Sequence, residues 1–430
     1  MSPGSASGAM AQRLAGVLDR RWPPRDARAR RLGREGEHPV VHPDGSLADI
    51  AVLWPRLAAL PGAEVHREGE LVVGVDLPGI SFAAEVGRGT IELIVGPCDD
   101  LHAVAGHYEA GMAHLLAAAE AEGLWVLGHG LQPVALPSLE AMTRKQRYGV
   151  LHEELGDVWL WFALTASDQL HVDVAADERV AVANLTNLLA PVTIALCANS
   201  AIHGGAPSGT CSTRETAMGT IQADQHRHGM LEGPVADLEG WVGRTLDLPY
   251  LMHREAGVCT ATGQTFRAWL DHHPRTDDAA FDAWLWHEHY IWNSARLRTV
   301  QGTIEVRAAC QQPWGEHLAA AVLGTGMVAA HAELATFLDA QLGAEAWPRM
   351  RAWHRAVVRE GLAATEPVPG LVAGVVERVR DGLIARGRGE AALLAPIEAR
   401  LAARENPAQR AVRVHAEGGL PAVLDLLRVR

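Results

Sequence analysis

Residues 90–95, TIELIV, set Glu92 among β-branched and leucine residues. Such a run reads as a buried strand, and a carboxylate there needs a partner, because an isolated charge away from water is too costly to keep. A metal ion often fills that role. Whatever fold this chain adopts has to bring cations to a strand face.

Three further segments carry polar residues where a strand would alternate. Side chains two apart on a strand share a face. That rule puts Glu35 and Glu37 together in GREGEH, Gln169, His171 and Asp173 in DQLHVDV, and Glu305 and Arg307 in GTIEVR. A solvent-facing strand explains any one of these, but Glu92 shifts the reading toward one shared site. A set rich in oxygen, with at most one histidine or glutamine, suits Mg²⁺ or Mn²⁺ better than zinc, and hard cations among carboxylates serve phosphate chemistry.

Of the 38 basic residues, only Lys145 is a lysine, and TRKQRY around it is no phosphate-binding P-loop. Arg214 in GTCSTRE, Arg227 in DQHRHG and Arg307 are flanked by small or polar residues, and the arginine fork suits carboxylate and phosphate ligands. His203, His226 and His228 lack zinc-ligand spacing and read as polar loop residues; Cys211 reads as an ordinary thiol.

The 430 residues, 48% of them hydrophobic, suffice for a large core. A net charge of −13 argues against a nucleic-acid partner, and the absence of an 18-residue apolar run argues against a membrane one. Five scattered cysteines without CxxC spacing point to a reducing, cytoplasmic setting. The oligomeric state is not legible.

Residues 1–9 are expected to be unstructured and 10–430 to form one domain. Helices are expected at 10–20, 49–60, 101–122 and 177–201, with strands at 31–41, 70–76, 80–84, 90–95, 124–128, 167–175 and 302–308. Residues 199–233 read as a long functional loop, and residues from 314 onward as helical, with breaks near 367–370, 387–389 and 406–407. The pattern is α+β rather than a βαβ repeat.

Taken in order, these segments resemble the glutamate-cysteine ligase family of the plant and actinobacterial type, including the ergothioneine-pathway enzymes, within the glutamine-synthetase-like superfamily. The resemblance is carried by Gly33, Glu35 and Glu37; Glu85 and Glu92; Gln169 to Asp173; Ala198, Asn199 and Ser200; Gly209, Ser212 and Arg214; Asp224, Arg227 and Gly229; Glu305 and Arg307; and Arg386, Gly387, Gly389 and Glu390. Two positions depart from it. His171 replaces an asparagine, and Cys310 stands where relatives often carry aspartate.

The resemblance implies a curved, mostly antiparallel sheet forming an active-site funnel surrounded by helices. It also implies an ATP-dependent ligase that makes an amide through an acyl phosphate, with L-glutamate and L-cysteine as the default pair. Glu35, Glu37, Glu85, Glu92, Gln169 and Glu305 are then the expected ligands of Mg²⁺ or Mn²⁺, with Glu305, Arg307 and Arg227 catalytic. Arg214, Arg227, Gln169, His171, Asn199 and Ser212 are expected to bind substrate, and Arg307 and Lys145 to bind ATP. A specialised ligase with another acid or amine, favoured by Cys310, and a carboxylate-bridged metal hydrolase are the competing readings.

Overall fold

The computed structural model describes residues 3–219 and 227–430; Asp224 and His226 lie outside the described residues. Its centre is an antiparallel sheet of nine strands: β1 (Leu32–Val41), β2 (Glu64–Glu68), β3 (Leu71–Leu77), β4 (Ile80–Ala84), β5 (Thr90–Cys98), β6 (Trp125–Val126), β7 (Asp168–Asp173), β8 (Ala295–Arg298) and β9 (Thr303–Val306). The order is β8-β9-β7-β1-β5-β4-β3-β2, with β6 paired to the end of β1. The strands expected at 70–76, 80–84 and 90–95 are β3, β4 and β5, which run as a meander, and β2 adds an edge strand that was not expected.

Register decides what the sheet can do. Glu37 pairs with Glu92, Glu35 with Gln169, His171 with Glu305, and Glu305 with Arg296. Residues directly opposite share a face, so these polar side chains all project from one side of the sheet. The alternate residues, among them Leu93, Val95, Leu170, Val172 and Ile304, are buried in the main apolar core.

Helix α1 (Pro3–Arg21) begins inside the stretch expected to be unstructured; Leu14, Val17 and Leu18 anchor it in the core, and the helix continues back from that anchor. Helix α2 (Leu101–Ala121) packs on β5, with Asp100 capping its first turn by accepting from the Ala103 N–H at 2.8 Å. Helix α3 (Gln146–Leu155) follows Lys145.

The expected helix 177–201 is instead two helices, α4 (Arg179–Leu188) and α5 (Ala190–Cys197), because Pro191 has no N–H to continue the ladder. The expected helix 49–60 is likewise reduced to a short turn and Trp54–Ala58, with Pro55 in its first turn. Residues 199–233 are not wholly loop, since α6 (Thr213–Gly219) lies within them. Helix α7 (Ala319–Ala329) covers the apolar face of β7, and α8 (Ala346–Glu360) packs against α5. Helix α9 (Pro407–Leu427) starts at a capping box made by Asn406 and Gln409, where the sequence predicted a break. Strand β8 and the hairpin Pro249–Glu255/Val258–Thr265 were not foreseen.

Candidate active site

The polar face of β1, β5, β7 and β9 floors a cleft walled by α3, α6 and residues between 289 and 298. Two acidic clusters lie on this floor, and their surroundings differ.

Glu37, Glu85 and Glu92 each offer an oxygen within 4.8 Å of the others. Glu37 accepts from the Ser167 N–H at 2.6 Å and from Gln169 Nε2 at 2.9 Å. Among the described residues, no arginine or lysine forms an ion pair with any of the three. Burial, then repulsion from Glu85, pushes the Glu37 carboxyl up to about 7 against the pull of Arg214. Burial, then Glu85, Glu35 and Glu37, holds Glu92 well above the ordinary carboxylate range. Lys145 stands nearby, but its ammonium donates to the Ala84 carbonyl, and burial lowers its pKa. Three clustered oxygen donors short of positive charge are what a hard divalent cation needs.

Glu35, His171 and Glu305 form the second cluster. Arg296 grips Glu305 with both edges of its fork, at 2.5 and 3.2 Å, Arg298 lies at 3.5 Å, and Arg307 donates to Glu305 and to Gln169 Oε1. Burial would raise the Glu305 carboxyl, but Arg296, Arg307 and Arg298 outweigh it and hold it well below the ordinary value. Glu35 is likewise low, burial being overcome by His171, whose Nε2 lies 3.0 Å away. His171 Nδ1 meets Thr303 Oγ1 at 3.1 Å. Here two carboxylates face three guanidinium groups, an excess of positive charge suited to phosphate oxygens.

Arg214 projects from α6 into the same cleft, where it senses both Glu37 and Arg307. Its Nε and Nη1 are buried without a hydrogen-bond partner, a costly state that an anionic ligand relieves. The neighbouring Glu215 lies between His228 and His354, each at 3.2 Å, and these outweigh burial to hold it well below its usual range.

Other expected site residues stand behind the cleft. Arg227 is fully buried and gives its N–H groups to the carbonyls of Tyr290 and Pro249; burial pulls it down to about 9. Asn199 Nδ2 bridges the carbonyls of Gly128 and Gln311, both at 2.8 Å. Ser212 Oγ accepts from the Glu215 N–H at 3.3 Å, while Ser200 Oγ accepts from the Arg214 N–H at 3.1 Å, so both serines orient α6. Glu390 pairs with Arg386 at 2.6 Å and accepts from the Leu101 N–H at the start of α2. Cys310 is buried against Gly130, Ser200 and Ser212 rather than in the cleft lining.

The reading of the sequence passed over Arg296 and Arg298, although ARLR has the same two-residue spacing as Glu305 and Arg307. It also missed Arg147, whose Nε is buried without a partner, and the aromatic wall of Trp159, Phe162 and Trp292.

One antiparallel sheet face that sets a cluster of carboxylates beside a group of arginines has the composition expected of an ATP-dependent carboxylate–amine ligase, and that is the class the comparisons show. The family model "Glutamate-cysteine ligase family 2 (GCS2)" matches residues 54–425, and the chain belongs to that family. It is 27% identical over 368 residues to the chloroplastic glutamate–cysteine ligase of Arabidopsis thaliana, covering 82% of this chain and 69% of the relative. The corresponding Brassica juncea enzyme is 28% identical over 361 residues, covering 80% and 69%. The solved glutamate–cysteine ligase of Francisella tularensis in complex with AMP has the same fold, with a TM-score of 0.60 over 93% of this chain and 87% of that one at 12% identity. Glu35 and Glu37 precede the matched span, so their place in the site rests on the sheet register.

Proposed function

We propose that this ligase joins the side-chain carboxylate of L-glutamate to the amine of L-cysteine through an acyl phosphate. The separation of charge on one sheet face carries the reading: a cluster short of positive charge lies beside one with an excess of it.

Glu37, Glu85 and Glu92 would hold Mg²⁺ or Mn²⁺, and Gln169 orients Glu37. The ion neutralises phosphate oxygens when bound. Glu305 lies within reach of a cation beside Glu35 and His171, but we read it chiefly as the anchor of Arg296 and Arg307, whose N–H groups its oxygens receive, with Arg298 3.5 Å away. Arg307 then faces the transferring phosphoryl group, and Arg214 clamps the donor carboxylate or the phosphate. The wall of Trp159, Phe162 and Trp292 keeps water from an acyl phosphate that would otherwise hydrolyse. The position of Cys310 outside the cleft lining removes the main ground for a different acceptor.

The test is isotopic. Oxygen-18 in the glutamate side-chain carboxylate should appear in released phosphate, with ADP formed only when glutamate, cysteine and Mg²⁺ or Mn²⁺ are present. Label retained only in amide and AMP, with pyrophosphate released, would mean adenylation and overturn the mechanism.

We also read residues 10–430 as one catalytic domain, supported by a single apolar cluster containing residues from Ala11 to Val429. A cytoplasmic location is our reading of five free, buried cysteines. Among the described residues no single helix is long and apolar enough to cross a membrane.

A further inference from the structure

Glu35 and Glu37 belong to GREGEH, and the other face of that segment is constrained independently. Arg34 and Asp168, 0% and 1% exposed, form a two-pronged ion pair on the apolar side of the sheet, both bonds 2.8 Å long. Arg34 also donates to the His317 carbonyl at 2.7 Å and to His317 Nδ1 at 3.1 Å, and its guanidinium lies 3.8 Å from the centre of the Tyr108 ring. Tyr108 enters because Gly36 has no side chain: a Cβ there would lie 1.7 Å from its hydroxyl. His38 Nδ1 donates to the Leu127 carbonyl, so Nε2 accepts the Tyr108 O–H at 2.7 Å.

Stability is a poor account of a charged pair in this place. Well-packed apolar residues usually replace a buried ion pair without loss, and the best-attested use of such groups is to specify register. Register is what this site needs. A slip of β1 by one residue would turn Glu35 and Glu37 into the core, and a slip of one or two would bring a side chain under Tyr108, where no Cβ fits. Arg34 follows Gly33 and precedes Glu35 on β1, while Asp168 immediately precedes Gln169 on β7. The pair therefore ties the two strands at the residues that flank the floor of the cleft.

We propose that Arg34 and Asp168 are positioning residues whose ion pair, with Tyr108 seated over Gly36, holds β1 against β7 so that Glu37 meets Glu92 and Glu35 meets Gln169. The inference rests on the reading of Glu37, Glu85 and Glu92 as metal ligands. Its test uses the full chain without nucleotide, titrated with Mn²⁺ and followed by electron paramagnetic resonance, alongside the thermal midpoint and kcat.

The paired replacement Arg34→Met with Asp168→Leu should melt close to the parent, yet bind Mn²⁺ about tenfold or more weaker, with kcat falling similarly, as supporting contacts do at other metal sites. Arg34→Lys keeps the charge and loses the fork, so it should fall between the two; it also carries the test if the paired variant does not fold. Parent-like Mn²⁺ affinity and kcat in whichever variant is folded would overturn the positioning role alone. A parent protein that binds no Mn²⁺ would overturn the metal reading, and the positioning role with it.

Discussion

The cluster of Glu37, Glu85 and Glu92 and that of Glu35, His171 and Glu305 share one sheet face but have opposite electrostatics. In the first, burial and mutual repulsion raise Glu37 and Glu92, and no guanidinium pairs with them among the described residues. In the second, arginines and a histidine hold both carboxylates low. Counting acids alone would make both of them metal sites. Counting their partners separates them, and the proposed roles follow that difference: a cation for the first, a scaffold that aims arginines for the second.

The largest expected effect lies in the second cluster. Glu305→Gln should lower turnover about 10² to 10³-fold by releasing Arg307, as for other lost charge-stabilising groups. It should also destabilise the fold by about 3 kcal/mol, because buried Arg296 loses its two-pronged partner and keeps only the attraction of Glu288 and Glu35. Turnover and a denaturation curve read the two losses separately; an unchanged curve would show that Glu305 is not the arginine anchor.

Glu92→Gln should match only half of that behaviour. Removing charge from an overloaded cluster should cost about 10² in turnover and abolish Mn²⁺ binding, while the metal-free protein melts no lower than the parent. A large drop in its midpoint would erase the distinction between the clusters.

Arg307→Lys is a smaller change. It keeps the charge and loses the planar fork, so a phosphorylated sulfoximine or phosphinate mimic of the intermediate should bind about tenfold weaker while ATP binding changes less. Equal weakening of both ligands would place Arg307 on ATP alone.

Much of this contrast was legible in the sequence. Alternation in GREGEH, DQLHVDV and GTIEVR, with the lone carboxylate of TIELIV, identified the polar sheet face, because a period of two fixes which residues share a side. Short motifs were weaker guides, since they give residue types without direction: Asn199, Ser212 and Arg227 bond to backbone outside the cleft lining, and Glu390 pairs with Arg386 and the start of α2. The partners that separate the two clusters were the least legible. Arg296 lies on a strand of four residues that offers only two polar positions to alternate, both basic, and Arg214 acquires its place from a helix hidden in a Gly- and Ser-rich stretch.

The smallest effect is a pH dependence, and its sign follows from Glu37. A carboxyl with a folded pKa of about 7 keeps its proton in the folded state while the unfolded chain loses it near the ordinary value of 4.5. Stability therefore falls as pH rises between those values and levels off above about 7. Buried neutral histidines such as His129, lowered to about 4, act in the opposite direction below their ordinary pKa, so the parent curve alone is ambiguous. The informative quantity is the stability of Glu37→Gln minus that of the parent, without metal. That gap should widen in favour of the variant by about 1 kcal/mol per pH unit over the window, and saturating Mg²⁺ should shrink it by binding the ionised parent. A gap that stays flat with pH would mean that Glu37 titrates as an ordinary carboxylate, and that the first cluster lacks the unmet charge that separates it from the second.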